Sequence, residues 1–304
     1  VVSTLECVQT AQHITLIGED FKYSFNTFTG SFESLTSNGV ELLAACPQVS
    51  VWRAPTDNDR NIYHTWHGQM MHCSTSHVYQ AGIREKTPHF VKLEVRYALG
   101  GPSVRPLLEG VTTYTVWANG EIEVAMDAQV RDNLDVLPRF GLELHMPQGN
   151  EQVTYFGMGP NENYIDLCRS AYMGLFHTTV NDLYEPYIKP QECGNHTHVK
   201  WALIQNQRGV GLIFKGDSEF NFSALHYTAH DLSDTPMAHL LKPRKETIVH
   251  IDYRQTGIGS NSCGPRLAEK YAFNEKEIHF AFSMKPIWTE SIPANLERRF
   301  KPSL

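Results

Sequence analysis

The stretch Val111-Thr112-Thr113-Tyr114-Thr115-Val116-Trp117-Ala118-Asn119-Gly120-Glu121-Ile122-Glu123-Val124-Ala125-Met126 is the strongest local indicator of the fold class. Its Asn119-Gly120 dipeptide is typical of a tight turn between two antiparallel strands. The residues before the turn are rich in β-branched and aromatic side chains, which favour strands. After the turn, Ile122, Val124 and Met126 alternate with other residues, as in a half-buried strand. The stretch therefore predicts an antiparallel hairpin.

The same pattern recurs on both sides of this hairpin, and Ser37-Asn38-Gly39 predicts a second tight turn. Further strands are predicted at residues 13–17, 21–25, 91–99, 142–146, 153–156, 201–205, 210–214, 220–225, 247–253 and 278–284. Helical periodicity is confined to one short segment, residues 229–241, which Pro236 interrupts. Many short strands with frequent turns predict an all-β fold, either a large sandwich or a barrel.

Composition indicates a globular protein and restricts the kinds of partner. Of 304 residues, 41% are hydrophobic and 19% are charged. The net charge of −7 argues against a nucleic-acid partner, because clustered basic residues drive binding to phosphates. No apolar run approaches the roughly 20 residues that a membrane-spanning helix needs. We therefore expect no nucleic acid and no membrane among the partners, and an uncharged small molecule or a protein surface instead.

The cysteines and histidines give no clear metal or disulfide signal. Six cysteines are scattered without C-x-x-C spacing. The pairs His196-x-His198 and His226-x-x-x-His230 have spacings that metal sites use, but neither pair has a marked third ligand. Free thiols favour the cytoplasm, with a bacterial periplasm as the alternative. The chain begins with Val1 and has no leader-like segment, so we expect a processed product or a piece of a longer protein.

Two long segments, residues 51–77 and 155–194, interrupt the strand pattern, and loops of this length are usually functional. In the first, Asp57-Asn58-Asp59 resembles the start of a calcium loop but lacks the glycine and the distal glutamate of that motif. Its predicted role is structural, with the acidic and amide side chains capping a turn and Arg53 or Arg60 balancing their charge.

The second segment contains two short motifs. Gly157-x-Gly159-Pro160 lacks the third glycine of a nucleotide-binding loop, so it is interpreted as a tight turn. Glu162-Asn163-Tyr164 places a carboxylate, an amide and a phenol together. These groups could bind sugar hydroxyls or could satisfy buried loop backbone, and the sequence leaves both open.

A third candidate is the loop Gly257-Ile258-Gly259-Ser260-Asn261-Ser262-Cys263-Gly264-Pro265, which carries a single cysteine between two predicted strands. Such a loop either presents a functional side chain or only connects the strands. Elsewhere, no pair of carboxylates lies in a context typical of glycosidases. No G-x-S-x-G motif and no cysteine with an evident histidine partner is present either. The residues alone therefore predict no self-sufficient active site.

Four motifs together carry a family resemblance that extends from about residue 14 to residue 284. The motifs are Val51-Trp52-Arg53-Ala54-Pro55-Thr56-Asp57-Asn58-Asp59, Tyr155-Phe156-Gly157-Met158-Gly159-Pro160-Asn161-Glu162-Asn163-Tyr164, Tyr184-x-Pro186-Tyr187-x-x-Pro190-Gln191-Glu192 and Gly257-Ile258-Gly259. They occur in the same order in the C-terminal domain of glycoside hydrolase family 2 β-galactosidases, which the chain resembles. That domain also exists as the small chain of two-subunit lactobacillus-type enzymes.

The resemblance implies a large antiparallel super-sandwich similar to that of galactose mutarotase. We assign it to residues 13–285, with residues 1–12 as the tail of a preceding domain or a linker and residues 286–304 as a C-terminal tail. In this family the acid/base and nucleophile glutamates belong to a TIM-barrel domain that this chain lacks. We accordingly expect no cofactor and no metal in this chain, whereas Mg or Na could bind in the barrel domain.

The resemblance also suggests roles for particular residues. In the family, a loop of this domain reaches the sugar site of the barrel. The substrate-binding candidates are accordingly Cys263, Asn261 and Ser262. The best-known bacterial member has a tryptophan where this chain has Cys263, and a thiol cannot supply aromatic stacking. Structural or interdomain roles are expected for Arg53, Asp57, Asn58, Asp59, Glu162, Asn163 and Tyr164. None of these residues is expected to be an acid, base or nucleophile.

The resulting hypothesis is a β-galactosidase small chain or C-terminal domain. Such a chain would complete a retaining β-galactoside hydrolase and be inactive alone. Its expected partners are a lactose-like β-galactoside and a TIM-barrel domain or large chain. Two alternatives stay open: a stand-alone carbohydrate-binding module, and a mutarotase-like epimerase, which would need a histidine and a carboxylate converging on the concave face.

Overall fold

The chain folds into two antiparallel sheets with little helix, as a computed structural model describes for residues 4–288. The smaller sheet is a meander of five strands in sequence order. Its strands are β1 Glu6–Gln9, β2 His13–Ile17, β3 Phe21–Asn26, β4 Ser31–Ser37 and β5 Val40–Glu41. The predicted all-β class is confirmed.

The larger sheet has twelve strands. They are β6 Ala45–Ser50, β7 Thr75–Lys86, β8 Phe90–Gly100, β9 Leu108–Trp117, β10 Ile122–Val130, β11 Arg139–Met146, β12 Gln152–Gly159, β13 Tyr172–Thr179, β14 His196–Gln205, β15 Val210–Leu225, β16 Thr247–Gln255 and β17 Glu277–Trp288. Nine of them follow the order β13-β12-β14-β15-β17-β10-β9-β8-β7, and β16, β11 and β6 branch from β15.

The helical elements are short. They are α1 Tyr63–Gly68, α2 Ala229–Asp234 and single 3-10 turns at Asp57–Arg60, Met71–Cys73, Ala238–Leu240 and Glu269–Tyr271. The helix predicted within residues 229–241 is confirmed, and it ends before Pro236. No helix among the described residues is long and apolar enough to cross a membrane.

The hairpin predicted around Asn119-Gly120 is confirmed as β9 and β10, in which Val116 is the partner of Ile122. The Trp117 amide donates to the Glu121 carbonyl at 2.8 Å, and the Asn119 side chain accepts from the Glu121 amide at 3.0 Å. Gly120 has φ of +80°, a left-handed conformation in which a side chain would be strained. Glycine is therefore required to close this turn.

Strands β7 and β13, which lie at the two ends of the main strand path, were not predicted. Both pair with a neighbour on one side only among the described strands, and neither shows regular apolar alternation. In β13, residues 172–179 lay inside the segment interpreted as a long loop, but they pair with β12 along its full length. Edge strands bury less of their surface, so hydrophobic alternation is a weak signal for them.

The two sheets are joined by an aromatic core. The rings of Phe25 and Phe32 in the smaller sheet lie 6.0 and 5.2 Å from the ring of Tyr114 in β9. The Tyr23 hydroxyl donates a hydrogen bond of 2.7 Å to the Gly120 carbonyl. The meander therefore packs directly against the β9–β10 hairpin.

The predicted N-terminal limit separates two paired strands, and the predicted C-terminal limit falls within a strand. Strand β1 lies in residues 1–12 and pairs with β2, and β17 continues past residue 285 to Trp288. Residues 289–304 of the predicted tail lie outside the described part of the chain. The division at residues 13 and 285 stays a prediction.

We expect Phe32→Ala to lower the free energy of unfolding by about 3–5 kcal/mol, because it leaves a cavity in the aromatic core. Phe28, four residues earlier in the same hairpin, is 79% exposed, and Phe28→Ala should change the stability by less than about 0.5 kcal/mol. Urea unfolding followed by circular dichroism measures both. Equal losses in the two variants would contradict this account of the core.

Candidate functional site

The base of the 257–265 loop is held by a buried arginine. Arg53 has 0% exposure, and its Nη2 donates to both Asp59 carboxylate oxygens, at 2.8 and 2.9 Å. Its Nη1 donates to the Thr256 carbonyl, and Nη2 also approaches the Gly257 carbonyl at 3.4 Å. The guanidinium therefore connects the 51–60 segment to the start of the loop.

Asp59 also organises its own turn, as the sequence predicts. Its Oδ2 accepts the Thr56 amide at 2.8 Å and the Thr56 hydroxyl at 3.1 Å. Reciprocal bonds of this kind satisfy backbone donors at a helix start. Arg53, rather than the exposed Arg60, balances the charge.

The side chains of Asn58 and Asp166 form hydrogen bonds with the loop above its base. Asn58 Nδ2 donates to the Gly259 carbonyl at 2.7 Å, and Asn58 Oδ1 accepts the Ser262 hydroxyl at 2.8 Å. The Asp166 carboxylate accepts the amides of Ile258 and Gly259, at 2.9 and 2.7 Å. Asp166 is therefore bound to loop backbone and helps to hold the loop in place.

Gly257 is required by this close contact. A Cβ built on Gly257 would lie 2.7 Å from the Asp166 carboxylate, which is closer than side-chain carbons approach. Any other residue would push the acidic side chain away from the two amides that it accepts.

The tip of the loop, residues 261–265, is more exposed than its base. Asn261 and Ser262 are half-buried, whereas Cys263, Gly264 and Pro265 are exposed. Beside it lies a cleft of about 370 Å³, lined in part by Asn58 and Asn261. The tip offers an amide, hydroxyls and a thiol but no carboxylate, so it can bind a polar ligand but does not carry the carboxyl groups that a glycosidase uses.

The motif Glu162-Asn163-Tyr164 is largely buried in this domain. The side chains of Glu162 and Asn163 form hydrogen bonds with backbone groups of nearby loops. Asn163 is buried, donates to the Met158 carbonyl at 3.0 Å and accepts the Thr197 amide at 2.8 Å. Glu162 accepts the Gly194 amide at 2.8 Å and the Tyr187 hydroxyl, and burial raises the pKa of its carboxyl. The structure therefore favours the structural alternative for this motif.

A layer of buried charge lies in the strands next to the loop base. Arg139 Nη2 lies 3.1 Å from Glu192, and Arg139 Nε lies 3.1 Å from Asp252. Gln255, one residue before Thr256, donates to Asn195 at 3.0 Å and to Glu192 at 3.3 Å. A buried guanidinium needs such partners because an unpaired charge inside a protein is costly.

The histidine pairs do not form a metal site. His196 is buried and its ring contacts the Met158 carbonyl at 3.1 Å, while His198 is exposed and pairs with Glu219 at 2.5 Å. Within residues 4–288, no group of three or more His, Cys, Asp or Glu side chains could hold a metal ion. Asp57 is exposed, and its amide donates to the Gln191 side chain at 3.2 Å.

One cluster does combine histidines with a carboxylate, as an epimerase would require. Glu143 lies 2.7 Å from His145 and 3.6 Å from His250. Burial and the charge of Arg139 lower the pKa of His250 to about 3. Burial opposes ionisation of Glu143, but His145 and the other nearby positive charges outweigh it and lower its pKa to about 2. Burial and mutual contact thus favour a neutral His250 beside an ionised Glu143.

One protein family matches nearly the whole chain. The family model described as "Beta galactosidase small chain" matches residues 17–284. The chain belongs to this family.

Curated relatives of this small-chain domain are larger proteins. A β-galactosidase from Staphylococcus xylosus is 36% identical over 269 residues, covering 88% of this chain and 27% of the relative. A β-galactosidase from Actinobacillus pleuropneumoniae is 29% identical over 282 residues, covering 93% of this chain and 28% of the relative. The chain therefore spans little more than a quarter of the length of these relatives.

Among solved structures, a glycosyl hydrolase family 38 protein from Enterococcus faecalis matches 93% of this chain and 31% of its own, with TM-score 0.50 and 10% identity. This likeness concerns the fold alone. Galactose 1-epimerase from Lactobacillus acidophilus covers 94% of this chain and 98% of its own, with TM-score 0.47 and 10% identity.

Several residues that hold or surround the 257–265 loop could not be recognised from the sequence. Asp166 lies two residues after Tyr164 and was given no role, and Arg139, Glu192 and Asp252 were not recognised as a network. The sequence does contain one indication of the role of Asp166. Successive backbone amides around Gly257-x-Gly259 can together bind an anionic acceptor such as a carboxylate. Which acidic residue supplies that acceptor could not be read from the sequence.

We expect Arg53→Met to lower the free energy of unfolding by about 3–5 kcal/mol, because Asp59 would stay buried without its cation. The matched control is Arg96→Met, which breaks an exposed pair with Glu94 of 3.0 Å and should cost less than about 1 kcal/mol. The double variant Arg53→Met/Asp59→Asn should recover part of the loss. Chemical unfolding measures all three variants, and similar losses in Arg53→Met and Arg96→Met would refute the proposed anchor.

Proposed function

We propose that this chain is the non-catalytic domain of a retaining β-galactoside hydrolase and completes its sugar-binding site. The catalytic glutamates would lie in a TIM-barrel domain, either in the same polypeptide or in a separate large chain. The observation that carries the proposal is the 257–265 loop, which Arg53, Asn58 and Asp166 fix at its base while its tip is exposed.

The chemistry of the tip supports binding rather than catalysis. Hydrolysis of a glycoside by retention needs an acid/base and a nucleophile, both carboxyl groups. Residues 257–265 contain no Asp or Glu, and the nearby Asp59 and Asp166 already accept hydrogen bonds from this chain. Asp135 also lines the adjacent cleft, but this single exposed carboxylate does not make the pair that retention needs. The reacting carboxylates are therefore proposed to come from the partner domain.

Within this proposal, Cys263, Asn261 and Ser262 form the edge that faces a lactose-like galactoside. Asn58 positions the loop through Ser262 and does not itself need to touch the sugar. A thiol at residue 263 would contact the sugar through its small apolar surface, because it lacks the ring that would allow stacking. Loops held by a rigid scaffold commonly carry such contacts.

The proposal also covers cofactors and compartment. This chain would need no cofactor of its own, and any Mg or Na would bind in the barrel domain. All six cysteines are free thiols, which supports a reducing compartment such as the cytoplasm.

The chain alone should show no hydrolysis of a chromogenic β-galactoside, because the carboxylate pair would be missing. Adding the separately purified barrel-bearing chain or domain should restore activity, and adding an unrelated protein should not. The rate of chromophore release with and without the partner is the measurement. Strong activity from the isolated chain would refute the proposal.

In the complete enzyme, Gly257→Ala should raise KM for the galactoside by between about tenfold and a hundredfold, because displacing the Asp166 carboxylate would shift the loop tip. The matched control is Gly82→Ala, since a Cβ at Gly82 would meet nothing within 4 Å. Steady-state kinetics measure both variants. Unchanged KM in Gly257→Ala would show that the loop does not reach the substrate.

A further inference from the structure

A second cleft lies far along the chain from the loop, where the two sheets meet. It has a volume of about 390 Å³ and is bounded by the β3–β4 turn, strand β6 and the faces of β7, β8 and β9. It shares no residue with the cleft beside the 257–265 loop. Ligand sites in proteins commonly enclose about 300–1,000 Å³, so the space suits a ligand of one or two sugar rings.

The lining of this inter-sheet cleft is polar and uncharged. None of the described residues that line it is Asp, Glu, Lys or Arg. Its rim instead carries the hydroxyls of Thr29, Thr75 and Ser76 and the amide of Gln48, and these four residues are exposed. A phosphate, carboxylate or amine ligand would lose its hydration without gaining an opposite charge. The lining therefore favours a neutral ligand with several hydroxyl groups.

Two further hydroxyls lie at the floor. Tyr97 and Thr112 are each 2% exposed and line the cleft. The two hydroxyls interact with each other, but neither has a hydrogen-bond partner of good geometry within residues 4–288. Burial raises the pKa of Tyr97 to about 12 despite this interaction with Thr112, so the phenol stays protonated and can both donate and accept. A ligand hydroxyl could therefore supply the well-aligned hydrogen bond that the two buried groups lack.

An exposed aromatic ring completes the rim. Phe28 lies on the β3–β4 turn and is 79% exposed. The turn is well ordered, since Asn26 Oδ1 accepts the amides of Phe28 at 2.8 Å and of Thr29 at 3.3 Å. Sugars present apolar C–H faces as well as hydroxyls, and a fixed aromatic ring beside hydroxyl and amide groups matches both.

We propose that this inter-sheet cleft is a second carbohydrate site, which binds a neutral mono- or disaccharide reversibly. Phe28 would pack on the apolar face of a ring, and Gln48, Thr112 and Tyr97 would bind its hydroxyls. The proposal does not depend on the function of the 257–265 loop, because the two sites lie on different elements.

The test is titration calorimetry and saturation-transfer NMR of galactose and lactose with the full 304-residue chain. Saturable millimolar binding is expected. Tyr97→Phe and Thr112→Val should each weaken it by about three- to tenfold, the loss expected for one neutral hydrogen bond. Because each replacement keeps the shape and removes a hydroxyl without a well-aligned hydrogen bond, the thermal midpoint should stay nearly the same. Phe28→Ala should also weaken binding, while its fold is preserved.

Two comparisons make the test specific. Gly82→Ala, which lies outside both clefts and meets nothing within 4 Å, should bind galactose as the wild type does. Galacturonate, which carries a carboxylate, should bind much more weakly than galactose. The proposal is overturned if the wild type shows no saturable binding at tens of millimolar sugar. It is also overturned if Tyr97→Phe and Thr112→Val, both folded, bind with wild-type affinity.

Discussion

The buried ion pair between Arg53 and Asp59 is the constraint on which the rest of this site depends. An unpaired guanidinium inside a protein costs several kcal/mol. Here the partners are one nearby carboxylate and the carbonyls of Thr256 and Gly257, some 200 positions away in the sequence. The loop base therefore cannot move without taking two acceptors away from a buried cation.

Above that base, the loop is held by hydrogen bonds and not by a buried ion pair. Asn58 and Asp166 hold backbone groups of the loop through ordinary hydrogen bonds, and beyond them the residues near Cys263 are exposed. A rigid base with an exposed polar tip suits a contact with another domain better than chemistry performed alone. This agrees with a chain that spans only 27% of a relative named as a β-galactosidase. The sandwich then serves as a scaffold that sets the position of a loop.

The inter-sheet cleft has a different origin. It arises because the five-stranded meander packs on the larger sheet through Phe25, Phe32 and Tyr114, and the packing leaves space next to the aromatic core. Tyr114 belongs both to that core and to the lining of the cleft. The shape of the cleft is therefore coupled to the docking of the two sheets, whereas the loop is coupled to the buried charges.

Features that depend on neighbouring residues could be predicted from the sequence. These include the all-β class, the hairpin at Asn119-Gly120, the short helix before Pro236 and the turn capped by Asp59, since turn chemistry and apolar alternation act over a few residues. Which distant groups meet became evident from the folded chain alone. The edge strands lack alternation, and the partners of Arg139 and of the loop amides lie many positions away. Local propensity carries no information on such pairings, because long-range packing selects them.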